Sequence, residues 1–306
     1  MFFCRSNFSQ QMFLRQFWRV SQQQVSIRSN FTTTSNSDVP TIELDGPLKK
    51  QEKIVVPQLG FGTWKITGSQ AQKSLCNALK AGYRHIDTAF VYQNEKALGQ
   101  VLHAATSSVD SPVEKSTEKE QQQKKKEEES VFDPNTTLRS DLEVPKIQRN
   151  ELFVTTKLWN TFHQKEHVLE ACENSLRDLQ LSYIDLFLIH WPVAFSYHPS
   201  ETHTSQGKNM PVALTETWHA MQELVQQGLV RHIGVSNFSV AQLAELLRHP
   251  DTSITPAVNQ IELHPFLTQK KLVSYCRKKG IAVTAYSPLG SAPSSESSES
   301  SESSES

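Results

Sequence analysis

The sequence predicts an α/β protein whose parallel strands curl into a TIM-type (β/α)8 barrel, incomplete, with seven strands identifiable. Three observations carry this expectation. Seven short apolar runs punctuate the chain: LGFGTW (59–64), YRHIDTA (83–89), LFVTTKLW (152–159), YIDLFLIH (183–190), VRHIGVSN (230–237), AVNQIEL (257–263) and IAVTAYS (281–287). Each is near-continuously hydrophobic, as strands buried on both faces are. Helical patterns separate the runs, which points to crossover connections and a parallel sheet. The closed form of such a sheet is the barrel. A doubly wound open sheet is the alternative. No GxGxxG follows any run, only the weak GxG of Gly60 and Gly62, so a Rossmann dinucleotide site is not expected.

The helical segments follow from spacing. Val168, Cys172, Leu176 and Leu179 recur on one helical face, as do Leu214, Trp218, Met221 and Val225. Ser69 with Gln72, and Thr161 with Gln164, have capping-box spacing. Gly82, Gly228 and Gly280 sit where helices are expected to stop.

Three stretches fall outside this pattern. Residues 1–40 form an extension; Met1–Ser37 has no Asp or Glu but holds Arg5, Arg15, Arg19 and Arg28 among many Ser, Gln and Thr. An Arg-rich, Ser-rich, acid-poor start fits a mitochondrial transit peptide, or else an extension without fixed structure. The expected location is cytoplasmic or mitochondrial. The barrel region is expected over 41–290, interrupted at about 106–145 by a charged insertion containing QQQKKKEEES. That insertion lacks apolar periodicity and is expected to be a solvated loop. Residues 291–306 are a Ser/Glu repeat that cannot build a core.

Composition excludes several functions. A formal net charge of -1 leaves no footprint for nucleic acid, and no apolar run is long enough to span a bilayer. Cys4, Cys76, Cys172 and Cys276 form no CxxC pair, which argues against a disulfide framework and a zinc site. No metal is expected. The composition does not specify an oligomeric state.

Candidate chemistry lies at strand ends, where barrel enzymes carry it. Three successive runs carry Asp87, Lys157 and His190 at or near their C-terminal ends, and Tyr92 lies just beyond the second run. Each has a structural reading as well. Asp87 could cap a turn, Lys157 could mark a strand meeting water, His190 could be a core histidine, and Tyr92 could pack with a wet hydroxyl. Together they fit carbonyl reduction, which needs a proton for the developing alkoxide. A tyrosine could donate it, although its ordinary pKa of about 10 is high for the task. A nearby ammonium such as Lys157 favours the phenolate, Asp87 could hold that ammonium, and His190 could donate to the substrate oxygen.

At these residues the sequence resembles a known family. GYRHIDTAFVYQNEKALG (82–99) and YIDLFLIHWP (183–192) resemble two signatures of the aldo-keto reductases. VTTKLW (154–159) and GLVRHIGVSNF (228–238) are also similar to segments of that family. The resemblance implies an NADP-dependent reductase of aldehyde or ketone carbonyls. Tyr92 would be the proton donor, supported by Asp87, Lys157 and His190. It implies NADPH, or NADH, as cofactor. Ser236, Asn237 and Gln260 would hold the nicotinamide carboxamide, Tyr286 would stack on its ring, and Ser287 and Leu289 would meet the pyrophosphate. Trp64, Trp159 and Trp191 would line the pocket for a small-molecule carbonyl substrate. Beyond AYSPLG the resemblance stops: the eighth strand, the last helices and the adenosine-phosphate clamp of the family have no counterpart here. That break leaves a second expectation, an impaired barrel acting as a binding or regulatory subunit.

Overall fold

The computed structural model describes residues 40–44, 54–107, 137–198 and 207–290. The candidate transit peptide, the QQQKKKEEES stretch and the Ser/Glu repeat lie outside the described residues.

The main body is a seven-stranded, wholly parallel sheet. An antiparallel hairpin precedes it, β1 (Thr41–Leu44) and β2 (Ile54–Pro57), registered Thr41 to Pro57. The sheet then runs β3 (Gly60–Gly62), β4 (His85–Asp87), β5 (Phe153–Leu158), β6 (Ile184–Ile189), β9 (Val230–Ser236), β10 (Val258–Glu262) and β11 (Ala282–Tyr286). A second small hairpin, β7 (Ala194–Phe195) with β8 (Asn209–Met210), projects after β6. Six helices connect the sheet strands: α1 (Gly68–Lys80), α2 (Glu95–Thr106), α3 (Lys165–Leu179), α4 (Leu214–Gln226), α5 (Val240–Arg248) and α6 (Lys270–Lys278). Strand order in the sheet equals order in the chain, so each β–α unit adds its strand to the same growing edge. This is the incomplete (β/α)8 barrel that the alternation predicts. No pairing joins β3 to β11 among the described residues.

Alternation along the strands explains why they read as unbroken apolar runs. In β5 and β6, Val154, Leu158, Phe187 and Ile189 enter the large core beneath the helices, with Leu98, Leu102 and Met221. Phe153, Leu186 and Leu188 turn the other way and pack on Val258 and Val56. Both faces are therefore desolvated, and both must be apolar. Val56 brings the β1–β2 hairpin onto the inner cluster, near the first residues of β5 and β10. Pro57 offers its carbonyl to His85 Nδ1 at 3.2 Å. Neither hairpin was legible as strand signal, because the segments are too short to show alternation.

The helix ends separate sound signals from accidental ones. Gly82, Gly228 and Gly280 follow the last residues of α1, α4 and α6 at φ +94, +75 and +73, a backbone form that L side chains resist. The capping boxes expected at Ser69–Gln72 and Thr161–Gln164 do not form. Thr67 precedes α1, and Gln72 is buried against Gln100 and the Arg139 amide. Thr161 is buried in a short 3-10 turn, and α3 begins after Gln164 without a side-chain cap. Boxes do form at Ser239–Gln242 of α5 and at Gln148–Glu151 of a short 3-10 turn. Spacing alone cannot tell a cap from a residue that packing has claimed.

The insertion also ends earlier than expected. Leu138, Leu142 and Val144 pack against the core, and Cys76 Sγ donates to the Glu143 carbonyl at 3.3 Å. Lys146 Nζ reaches the Ala104 carbonyl at 2.8 Å. Residues 137–145 thus cover α1 and α2. Their three apolar side chains are irregularly spaced, so no period announced them.

Gly99 sets how closely α2 approaches α3. A Cβ there would overlap the Asp178 carbonyl oxygen and lie 2.8 Å from the Leu179 Cα, both backbone positions that cannot swing aside. Gly99→Ala should therefore destabilise the protein by about 1–3 kcal/mol or more, despite alanine's better helix propensity. The urea midpoint should fall accordingly; an unchanged midpoint would mean that the two helices can slide apart freely.

Candidate active site

The sheet brings the four strand-end residues together. β4 pairs with β5 so that Asp87 faces Thr155, which places Lys157 one pleat further along the same face. Lys157 Nζ donates to Asp87 Oδ1 at 2.7 Å and to the Thr88 carbonyl at 2.7 Å. The Lys157 side chain is 1% exposed and Asp87 18%, so this is an ion pair held almost out of water. Such a pair gains little net stability, but deleting one partner strands the other at a cost of about 3–5 kcal/mol.

Gln260 closes the arrangement from the far side. Its Nε2 donates to Asp87 Oδ2 at 2.6 Å, across 173 residues of chain. β10 and β4 are separated in the sheet by β9, β6 and β5, so this bond exists only because the sheet curls on itself. Since a carboxylate only accepts, the amide nitrogen must face it. The amide nitrogen of Gln260, a residue expected to meet the cofactor, is thereby committed to Asp87.

Tyr92 ends a 3-10 turn, Phe90–Tyr92, immediately after β4. A buried web fixes the turn. Thr63 bonds the Asp87 carbonyl through both its amide and its hydroxyl, each at 3.0 Å. Thr88 Oγ1 donates to Asn94 Oδ1 at 2.8 Å, and Asn94 Nδ2 donates to the Thr63 and Ile66 carbonyls at 2.9 and 2.8 Å. Lys157 Nζ lies 5.2 Å from the centre of the Tyr92 ring. The His190 ring stands edge-on to Tyr92, with centroids 5.9 Å apart.

The electrostatics divide into one charged pair and two neutral groups. Burial would lower the Lys157 pKa, but Asp87 and Tyr92 more than offset it, and the ammonium is held above its ordinary value. Burial raises Tyr92 above the ordinary phenol value, and the opposing pull of Lys157 does not cancel it. The expected lowering by Lys157 has the right sign but is outweighed by desolvation in the free protein. His190 is pushed well below the ordinary imidazole value, first by burial and then by Lys157. It is a neutral ring whose Nδ1 has no hydrogen-bond partner among the described residues.

A second polar group follows along the ends of β9, β10 and β11. Ser236 Oγ donates to the Gln260 carbonyl at 2.9 Å. Asn237, at φ +64, donates to the His190 carbonyl at 2.9 Å and accepts from the Tyr286 hydroxyl at 2.8 Å. Ser287 and Leu289 lie in the turn after β11, where Leu289 is 91% exposed. Of the three tryptophans, two flank His190. Trp159 is buried edge-on to it at 5.2 Å, and Trp191 is parallel to it at 6.4 Å. Trp64 is 60% exposed, with Lys65 Nζ 4.5 Å from its ring. Sequence reasoning missed Phe195 of β7, which stands 6.4 Å from Trp159, and the Thr63–Thr88–Asn94 web. Asn94 lies only two residues past Tyr92, but nothing in its type marks it as an anchor.

Comparison with known proteins identifies the family. Residues 58–129 and 136–305 match the model of the Aldo/keto reductase family. The chain belongs to that family. It is 40% identical over 243 residues to aldo-keto reductase family 1 member A1-A of Danio rerio, covering 77% of this chain and 62% of the relative. It is 40% identical to the aldose reductase of Encephalitozoon cuniculi (strain GB-M1), covering 78% and 68%. To the NAD(P)H-dependent D-xylose reductase I,II of Candida tropicalis it is 37% identical, covering 82% and 67%. The solved aldose reductase of Giardia lamblia matches with a TM-score of 0.61 at 38% identity, over 77% of this chain and 66% of that one. The chain thus spans slightly less than two thirds of the Danio rerio relative's length.

The depressed His190 pKa has a sign that can be tested. Unfolded, the ring takes its proton near 6.5; folded, only well below that. Between those values the unfolded chain binds more protons, so stability is complete above pH 6.5 and is lost as pH falls toward the folded value. His190→Gln should therefore lose less thermal stability than the wild type between pH 6.5 and 4.5. Parallel losses in a melting-temperature series would refute a buried neutral ring.

Proposed function

We propose that this chain reduces aldehyde or ketone carbonyls to alcohols, with Tyr92 as proton donor. The observation that carries the reading is a buried ammonium, Lys157, that Asp87 holds charged 5.2 Å from the centre of the Tyr92 ring. The names of its relatives, among them reductases of aldose and D-xylose, support the same class of chemistry.

The residues at the ends of β9–β11 fit the nicotinamide half of a dinucleotide. A carboxamide needs a donor and an acceptor side by side; the Ser236 hydroxyl and Asn237 amide, 3.1 Å apart, would meet it by exchanging bonds they now make to the Gln260 and His190 carbonyls and to Tyr286. Tyr286, half-buried beside them, would offer its ring, and Ser287 and Leu289 would lie toward the phosphates. NADPH, with NADH as a second choice, would supply the hydride there.

The protein's own part is to place the carbonyl and give it a proton. His190, neutral, would donate a hydrogen bond to the carbonyl oxygen and fix its direction. Hydride addition at carbon moves the C=O electron pair onto that oxygen, which takes the Tyr92 proton. The phenolate left behind faces the Lys157 ammonium, which stabilises it. Solvent protons then restore the phenol. Trp159 and Trp191, on either side of His190, would bound the substrate, with Trp64 at the exposed rim.

Tyr92→Phe should lower aldehyde-dependent NADPH oxidation by about 100- to 10,000-fold, the range for losing a general acid, while the melting temperature stays within a few degrees. Near-wild-type turnover would remove Tyr92 from the reaction. A fluorescence titration separates the second reading: no measurable NADPH binding would favour a binding or regulatory role for the chain, and micromolar quenching of tryptophan or cofactor emission would count against it.

A further inference from the structure

Behind the Lys157 strand lies an ionisable group that this reaction does not use. Glu95 opens α2, three residues after Tyr92, and is 3% exposed. Its Oε1 accepts from Thr156 Oγ1 at 2.5 Å and its Oε2 from Ser175 Oγ at 3.0 Å. Thr156 directly precedes Lys157 in β5, so its side chain leaves the sheet on the opposite face. One carboxyl group therefore joins the turn that carries Tyr92, the strand that carries Lys157 and the helix α3. The Thr88–Asn94 bond already ties the other side of the same turn. Tyr92 hangs between two fastenings, one attached to β4 and one to β5.

We propose that Glu95 is a positioning residue for Tyr92: by binding Thr156 and Ser175 at once, its carboxylate sets the separation of the Tyr92 hydroxyl from Lys157. The catalytic meaning of this rests on Tyr92 being the acid; the positioning itself does not.

The hydrogen-bond count gives the device two states. As a carboxylate, Glu95 accepts from both hydroxyls. Protonated, it must donate its own O–H, and Thr156 or Ser175 has to turn away or accept. The groups facing it are Thr156 from β5 and Cys172, Ser175 and Asp178 from α3, while the Lys157 charge acts on it from across the sheet. Burial favours the acid form most strongly. The Thr156 and Ser175 bonds oppose it, Asp178 reinforces it and Lys157 opposes it, leaving the group at about 7. Cys172 stays a thiol, pushed up to about 12, and does not compete for charge. Both forms of Glu95 are therefore populated near neutral pH, and the fastening on the Lys157 side of Tyr92 changes with them.

The test uses the full chain labelled with ring-13C tyrosine, without cofactor. The Tyr92 resonance is identified by its loss in Tyr92→Phe. It should move with a midpoint near pH 7 in the wild type, and the step should vanish in Glu95→Gln, whose amide cannot titrate. Ser175→Ala removes one bond to the carboxylate and should shift the midpoint upward by about one pH unit. No step in the wild type, or a step that persists in Glu95→Gln, overturns the proposal, even if that variant melts earlier. If Glu95→Gln does not fold, Ser175→Ala decides: an unmoved midpoint overturns it. None of these readouts needs turnover, so an inactive chain would count against the reductase reading alone.

Discussion

A lysine side chain that is 1% exposed imposes conditions on everything around it. An ammonium in that position must find an opposite charge and hydrogen-bond acceptors, or it gives up its proton. Lys157 finds Asp87 on the neighbouring strand and the Thr88 carbonyl just beyond it. Both depend on the parallel register of β4 and β5 being the one observed, since a slip of one residue would turn Lys157 toward the helices. Asp87 in turn is gripped by Gln260 from β10. The charge pair therefore couples strand register, sheet curvature and the turn bearing Tyr92. A sheet that lay flat could not satisfy it.

The strand ends were legible because barrel geometry forces chemistry into one class of position. Asp87, Lys157 and His190 each lie at or near the C-terminal end of an apolar run, and that fact survives without any knowledge of packing. All seven sheet strands fall within the runs that announce them; burial on both faces makes the composition signal strongest in β5 and β6, while β3 and β11 are only partly buried. What was hidden are the features that depend on which side chains meet. Gln72 and Thr161 look like parts of capping boxes, yet Gln72 is buried against Gln100 and the Arg139 amide, and Thr161 is buried in a 3-10 turn. Asn94 and Glu95 look like the polar start of a helix, yet they hold the turn in place. Residues 137–145 look like the end of a charged loop, yet their three apolar side chains cover the first two helices. In each case residue type is ambiguous until the partner is known, and the partner lies tens of residues away.

The same burial that secures the lysine also assigns the proton in the proposed reaction. Two neutral groups face the place where a carbonyl oxygen would sit, Tyr92 and His190. Desolvation drives their pKa values in opposite directions, upward for the phenol and downward for the imidazole, because each is pushed toward its uncharged form. Neutral His190 could supply the alkoxide only by becoming an imidazolate, and a neutral imidazole is a far weaker acid than phenol. Tyr92 becomes a phenolate, and that charge appears beside an ammonium already in place. The lysine thus acts least on the resting phenol, where burial prevails, and most on the anion formed as the proton leaves. An interaction that is stronger in the product of proton transfer than in the ground state lowers the barrier to that transfer. This is why the raised phenol pKa of the free protein does not count against Tyr92 as the acid: a group that titrates high keeps its proton until the developing alkoxide, a stronger base, takes it.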